Sequence, residues 1–434
     1  MTAEVAIINR QAIALAADSA VTVNTLGRTK IYNSANKLFA LSNHHPVGVM
    51  IFGGAQLTGV PWETLIKVYR SQLGSKGFSK LSDYCDDFIR FLTENLNFFR
   101  DADQSLSIQL IAYEKFSEIV SQIRKSIADK INQNGEISTR EIGNLVGKAI
   151  GQSAKNLSEM TFLPEFDENL RDEIAQKYKE SFKEIAQEVF EKLNITRSNM
   201  EKLTGIAANA LTKEFSRNLS GIVIAGFGQE EVFPGLYTYE IESVFEGKIK
   251  YRKNSDKSYE NTSEAEIIPF AQEEMIFTFV TGIDPYLERL SLSFLDKTLR
   301  NFFNVMIPEA QGSQQEKDRQ KQLNNLVSQL VEDFYDQLRQ YKLNSHIAPI
   351  LNTVSILPKE ELAAMAEALV SLTSLKRRVS TDAETVGGPT DVALISKGDG
   401  FVWVQRKHYF DADLNPGFFA KRFGSMIALR DGGE

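Results

Sequence analysis

The chain has 434 residues, 42% of them hydrophobic, which is enough for two or three domains with sizeable cores and too apolar for a disordered chain. Its formal net charge of −8 excludes a nucleic-acid surface built on excess cations. The single cysteine, Cys85, cannot close an internal disulfide, and there is neither a membrane-length apolar run nor a basic-then-apolar leader, so a cytoplasmic protein is expected.

Val5 and Ile7, then Ile13, Leu15 and Ala17, alternate around Asn9-Arg10-Gln11, which predicts two short strands joined by a tight hairpin. The hairpin brings Asp18, at the end of the second strand, close to Thr2, at the start of the first. Removal of Met1 would make Thr2 the amino terminus. A third strand, Lys37 to Leu41, puts Lys37 on the face of Phe39 and Leu41, a poor place for a charge unless it has a partner such as Asp18. The rival lysine, Lys30, falls in the loop Val21 to Ala35. A fourth strand, Val47 to Phe52, runs into Gly53-Gly54-Ala55, and a helix begins near Pro61. Glycines at such a turn let the backbone approach a ligand and offer it an N–H.

Together these residues supply a hydroxyl with its own α-amine, an Asp–Lys pair and an oxyanion donor. An α-amine, with its ordinary pKa near 8, is a better base at neutral pH than a lysine. The words Thr2, Ala16-Ala17-Asp18-Ser19, Lys37-Leu38-Phe39-Ala40-Leu41 and Gly53-Gly54-Ala55 resemble proteasome β subunits and their bacterial relatives, the HslV-type peptidases and the Anbu proteins. The resemblance implies an αββα Ntn-hydrolase sandwich in an α+β chain, with Thr2 as nucleophile and amine base. It further implies that Asp18 and Lys37 support Thr2, Ser19 stands beside them and the Gly53 N–H receives the oxyanion. It implies a threonine-type peptidase or amidohydrolase acting on peptides or unfolded chains, assembled as a homo-oligomeric ring or stack, with an ATPase partner left open. An inactive assembly subunit and an Ntn amidase for a small molecule are the alternatives.

Three-and-four spacing from Trp62 to Asp103 predicts two helices, with Cys85 packed on one of them. About a hundred further helical residues follow, with stripes from Phe116 to Ile131 and Leu170 to Val189. Within them, Gly143 to Ala149 has one residue too few for a phosphate loop and lacks its Ser or Thr, and His44-His45 lacks nearby ligands, so no cofactor or metal is expected. Strands are predicted at Gly221 to Gly226, Gly235 to Glu240 and Met275 to Val280, with residues 242–272 as a polar loop or extra hairpin. The relatives carry Gly-Ser-Gly after the last of these; here Thr281 and Asp284 are the substitutes. A helix from Tyr286 to Val305, a Gln-rich segment and an amphipathic helix from Leu323 to Tyr341 come next. A last helix, Glu360 to Arg378, precedes Ser380 to Pro389, where the relatives place an Asp and a Ser; this chain has Ala383 and Val386, with Asp382 and Glu384 flanking the first. Strands Asp391 to Ser396 and Phe401 to Arg406 end the series. The expected division is a core of residues 1–104, 205–305 and 360–434, with helical insertions at 105–204 and 306–359.

Overall fold

A computed structural model describes residues 3–25, 28–216, 218–260, 264–306, 314–380 and 387–408, with a few further positions up to 420. In chain order the strands β1 (Ala3–Asn9), β2 (Ala12–Ala17), β3 (Val21–Thr25), β4 (Arg28–Tyr32), β5 (Leu38–Ala40), β6 (Val47–Gly53), β7 (Gln56–Leu57) and β8 (Val60–Pro61) lead into helices α1 (Trp62–Leu73) and α2 (Leu81–Glu94). Five helices follow: α3 (Asp101–Asn134), α4 (Thr139–Glu159), α5 (Glu168–Lys177), α6 (Lys179–Val189) and α7 (Arg197–Lys213). Then come β9 (Ser220–Gly226), β10 (Gly235–Phe245), β11 (Lys248–Tyr259), β12 (Ala265–Ala271), α8 (Glu274–Thr281), α9 (Pro285–Met306), α10 (Gln314–Lys342), α11 (Ala348–Ile356), α12 (Lys359–Val379), β13 (Asp391–Ser396) and β14 (Gly400–Gln405).

The fold is mixed α+β with antiparallel sheets. One five-stranded sheet runs β12-β1-β2-β13-β14 and the other β11-β10-β9-β6-β5. Strand alternation sorts their side chains into separate cores. Ala6, Leu15, Met50, Val223, Phe270 and Ile395 share one core, so the inner faces of the two sheets meet. Val5, Ile7, Ala14 and Ala16, on the other side of the first sheet, pack on Leu362, Ala366 and Val370 of α12. Val49, Ile51 and Ile224, on the far side of the second sheet, pack on Trp62 and Ile66 of α1 and on Phe88 and Leu92 of α2. A fourth core holds α3 to α7 together around Phe116, Ile150, Phe182 and Leu203, and Phe245 of β10 enters it from the sheet.

Four expectations change. Met275 to Val280 is not a strand: Glu274–Thr281 is a helix that Gly282 ends at φ +77°. The strand that pairs with β1 on the side away from β2 is β12, inside the stretch read as a polar loop or hairpin, with Val5 opposite Pro269. β12 lies at the sheet edge, where a proline's missing N–H breaks no ladder. The loop Val21 to Ala35 contains the β3–β4 hairpin, and the Gln-rich stretch before Leu323 is helical from Gln314.

Candidate functional site

The start of β1, the end of β2, the residue before β5 and the loop before β13 converge on Asp18. The Ala3 N–H donates to Asp18 Oδ1 at 3.1 Å, and the Asp18 N–H returns to the Ala3 carbonyl at 3.0 Å, the last rung of the β1–β2 hairpin. The Gly387 N–H donates to Asp18 Oδ2 at 2.9 Å, and Lys37 Nζ forms an ion pair with Asp18 Oδ1. Ser19 ties the same segments from its other side. Its N–H reaches the Gly387 carbonyl at 3.2 Å, its hydroxyl donates to the Pro389 carbonyl, and its own carbonyl accepts from the Ala35 N–H at 3.0 Å. Gly388 is at φ +77°, and a Cβ there would stand 2.9 Å from that of Asn33, so this loop can pass so close only with glycine.

Lys37 has a second carboxylate, which sequence reasoning did not include: Glu4 Oε1, 3.0 Å from its Nζ. Glu4 and Asp18 are fully buried at their side chains and Lys37 is 6% exposed. The signal for Glu4 was a carboxylate at one position of an otherwise apolar strand, where burial demands a cation. Lys37 itself lies differently from its expected face. β5 begins one residue later, at Leu38, and the lysine side chain crosses to the opposite sheet while Phe39 and Leu41 pack beneath the helices. The cluster thus gathers two carboxylates around one ammonium at the start of β1.

Gly53 ends β6 at φ +73°, opposite Ser220, and a Cβ there would lie 2.5 Å from the Leu219 carbonyl oxygen. The Gly54 N–H bonds to Leu219 at 3.1 Å and the Ile51 N–H bonds to the Lys37 carbonyl at 2.8 Å. Ladder alternation therefore aims the Gly53 N–H to the Lys37 side of the strand. A cleft of about 840 Å³ opens between the edge strands β5 and β14, starting at Leu38 beside Lys37 and lined by Phe401, Trp403 and Arg406.

The other candidates lie elsewhere. Thr281 closes α8, its hydroxyl within donating distance of the carbonyls of Phe277 at 2.8 Å and Ile283 at 3.1 Å. Asp284 caps α9, accepting from the N–H groups of Tyr286 and Leu287 at 2.9 Å each, and the Leu287 N–H chiefly holds its carboxyl below the usual range. Helix ends, not the cluster, use both residues. Thr2, Asp382 and Glu384 lie outside the described residues, as does the side chain of the rival Lys30, whose backbone pairs with Val23 in the β3–β4 hairpin. His45 Nε2 meets the Ser75 carbonyl at 3.1 Å, and among the described residues no group of three His, Cys, Asp or Glu could hold a metal. Among them, too, no helix is long and apolar enough to cross a membrane. No family model and no curated protein matches the chain.

Proposed function

We propose that this chain is an N-terminal threonine hydrolase of the Ntn class, cleaving amide bonds in peptides or unfolded chains, and that its two facing sheets with outer helices are the αββα sandwich of that class. The observation that carries the reading is the buried Asp18–Lys37–Glu4 cluster, whose Asp18 is hydrogen-bonded to Ala3, the residue next to Thr2 in sequence. A chain beginning at Thr2 would bring an α-ammonium to the strand end where these two carboxylates lie.

In the proposed reaction the Thr2 hydroxyl oxygen attacks the amide carbonyl carbon while its proton passes to the neutral α-amine. The Gly53 N–H donates to the oxyanion. Collapse breaks the C–N bond, the leaving amine takes the proton from the α-ammonium, and an ester to Thr2 remains. Water then attacks the ester, giving its proton to the α-amine, and the carboxylic acid leaves as the threonine oxygen is reprotonated. Because Lys37 is offset by two carboxylates, its charge serves the geometry of Asp18 more than the acidity of the hydroxyl.

Intact mass and peptide hydrolysis test the reading together. Protein that has lost Met1 should hydrolyse peptides, take one epoxyketone or β-lactone per chain on Thr2, and lose both properties as Thr2→Ala. Protein retaining Met1 that hydrolyses peptides equally well overturns it. The use of Thr281 and Asp284 as helix caps favours a second reading, an assembly subunit without activity. A Met1-free protein inert to the electrophile would establish that reading instead.

A further inference from the structure

Helices α9 and α10 form an antiparallel hairpin, with Glu288 paired to Lys342 near one end and Arg300 Nη2 3.4 Å from Ser328 Oγ further along. Leu292, Leu295 and Leu299 form the seam side of α9, and Leu323, buried Val327, Val331 and Leu338 that of α10. Each helix carries a second apolar stripe that the chain leaves in solvent. Leu287, Leu290 and Phe294 on α9 are 51%, 52% and 69% exposed, and Leu330, Phe334 and Tyr341 on α10 are 43%, 44% and 61% exposed.

At about 100° per residue the α9 stripe is turned by roughly 140° from its seam and the α10 stripe by roughly 45°, both in the same sense of residue number. Because the helices run in opposite directions, rotations of the same sign in residue number are opposite in space, and both stripes open on one side of the hairpin. At roughly 150–250 Å² for a large side chain, these six residues present on the order of 600 Å² of apolar surface on one face. That is most of the ~800 Å² per partner that a stable interface buries.

We infer that the exposed face of the α9–α10 hairpin docks on the same face of a second copy of this chain, giving a two-fold four-helix bundle. A two-fold axis parallel to the helices sets α9 of one copy against α10 of the other, antiparallel and at the same level. The charges on the outer flanks then agree. Glu288 lies level with Lys342 and Arg300 with Ser328, so Lys297 lies level with residues 331–333, and exposed Lys297 on the outer flank of α9 comes within reach of exposed Asp333 on the outer flank of α10 of the second copy. An anionic membrane is a poorer occupant, since the flanks carry both signs and the chain's net charge is −8. The inference is independent of the Thr2 reading, because assembly is measured without any substrate.

Sedimentation of the full-length protein at tens of micromolar, with a vesicle-flotation control using phosphatidylserine liposomes, tests it. The wild type should exceed its 48.7 kDa monomer mass, while Phe294→Asp and Leu330→Asp fall back toward monomer with unchanged far-ultraviolet circular dichroism. Lys297→Asp and Asp333→Lys, both exposed and so harmless to folding, should each weaken association about tenfold or more by setting like charges together, and the double exchange should restore it. A monomeric wild type overturns the inference, whether or not it floats with the vesicles. So does assembly that ignores both stripe variants, and a double exchange no tighter than the single ones overturns the two-fold register.

Discussion

At the residue scale, a buried lysine held by two carboxylates is costly to leave incomplete. Lys37→Ala strands Glu4 and Asp18 without their cation, and the expected loss is about 3–5 kcal/mol in urea denaturation. A variant within experimental error of wild type would show that the cluster is solvated. Gly53→Ala meets both a left-handed backbone and the Leu219 carbonyl, so a loss on the order of 1–3 kcal/mol is expected, with a displaced β6 end. Cys85 is buried at 0% exposure, and burial pushes its thiol well above the usual range, so Ellman's reagent should react with it only as the protein unfolds. Rapid labelling of native protein would contradict that packing. The Asp18–Lys37 pair was legible because a lysine beside an apolar run needs a counter-charge, and Asp18 was the nearest carboxylate at a strand end. Glu4 was not, because it sits inside the strand whose apolar pattern defined the element.

At the scale of elements, periodicity was a good guide where one pattern was possible. The β1–β2 hairpin, β6, β9, β13 and β14 follow their alternation or apolar runs, and the stripe of α3 follows its three-and-four spacing. It failed where a short apolar run could satisfy two structures. Met275 to Val280 has strand-forming residues, but Glu274 accepts from Arg377 of α12 at 2.9 Å and Ile276 packs into the core over the first sheet, which favours the helix. β12 was hidden by Pro269 and by its charged surroundings. The β10–β11 turn supplies a test at this scale, since Glu246 accepts from Lys177 at 2.7 Å and from Tyr178 at 2.8 Å, where α5 meets α6. Burial opposes ionisation of Glu246, but the hydrogen bonds from Lys177 and Tyr178 outweigh it and hold the carboxyl below its ordinary value. A carboxyl lowered in the folded state adds stability above its unfolded pKa, and that contribution is lost as pH falls through the folded one. Glu246→Gln should therefore cost about 0.5–1.5 kcal/mol at neutral pH and nothing in acid below the folded pKa. Thermal melts of both proteins across the acid range check this, and a difference that persists unchanged at low pH would sink it.

At the scale of the whole molecule, the five helices α3 to α7 have their own core and are also fastened to the sheets by a buried charge. Lys250 and Glu242, on β11 and β10, form an ion pair with side-chain exposures of 0% and 2%. Lys250 Nζ also donates to the Ala210 carbonyl of α7 at 3.1 Å, and Glu242 Oε1 accepts from the Ser216 N–H at 2.6 Å, so the pair holds the end of α7 and the segment after it as well as the hairpin. Burial pulls the Lys250 ammonium below its ordinary pKa even though Glu242 opposes the shift. In the window between its lowered folded pKa and its unfolded one, the unfolded chain binds more protons, so this group's penalty against folding lessens as pH rises. Lys250→Met removes the cation and leaves Glu242 buried without it, an expected loss of about 3–5 kcal/mol. Adding Glu242→Gln keeps an acceptor for Ser216, removes the orphaned charge and should recover most of that loss. Because the damage falls where α7 meets the hairpin, the single variant should let residues 101–213 melt before the sheets, splitting one urea transition into two, while the double variant rejoins them. A single variant with the wild-type midpoint and one unbroken transition would mean that the helices α3 to α7 are held by the Phe245 contact and their own core, without need of the buried pair.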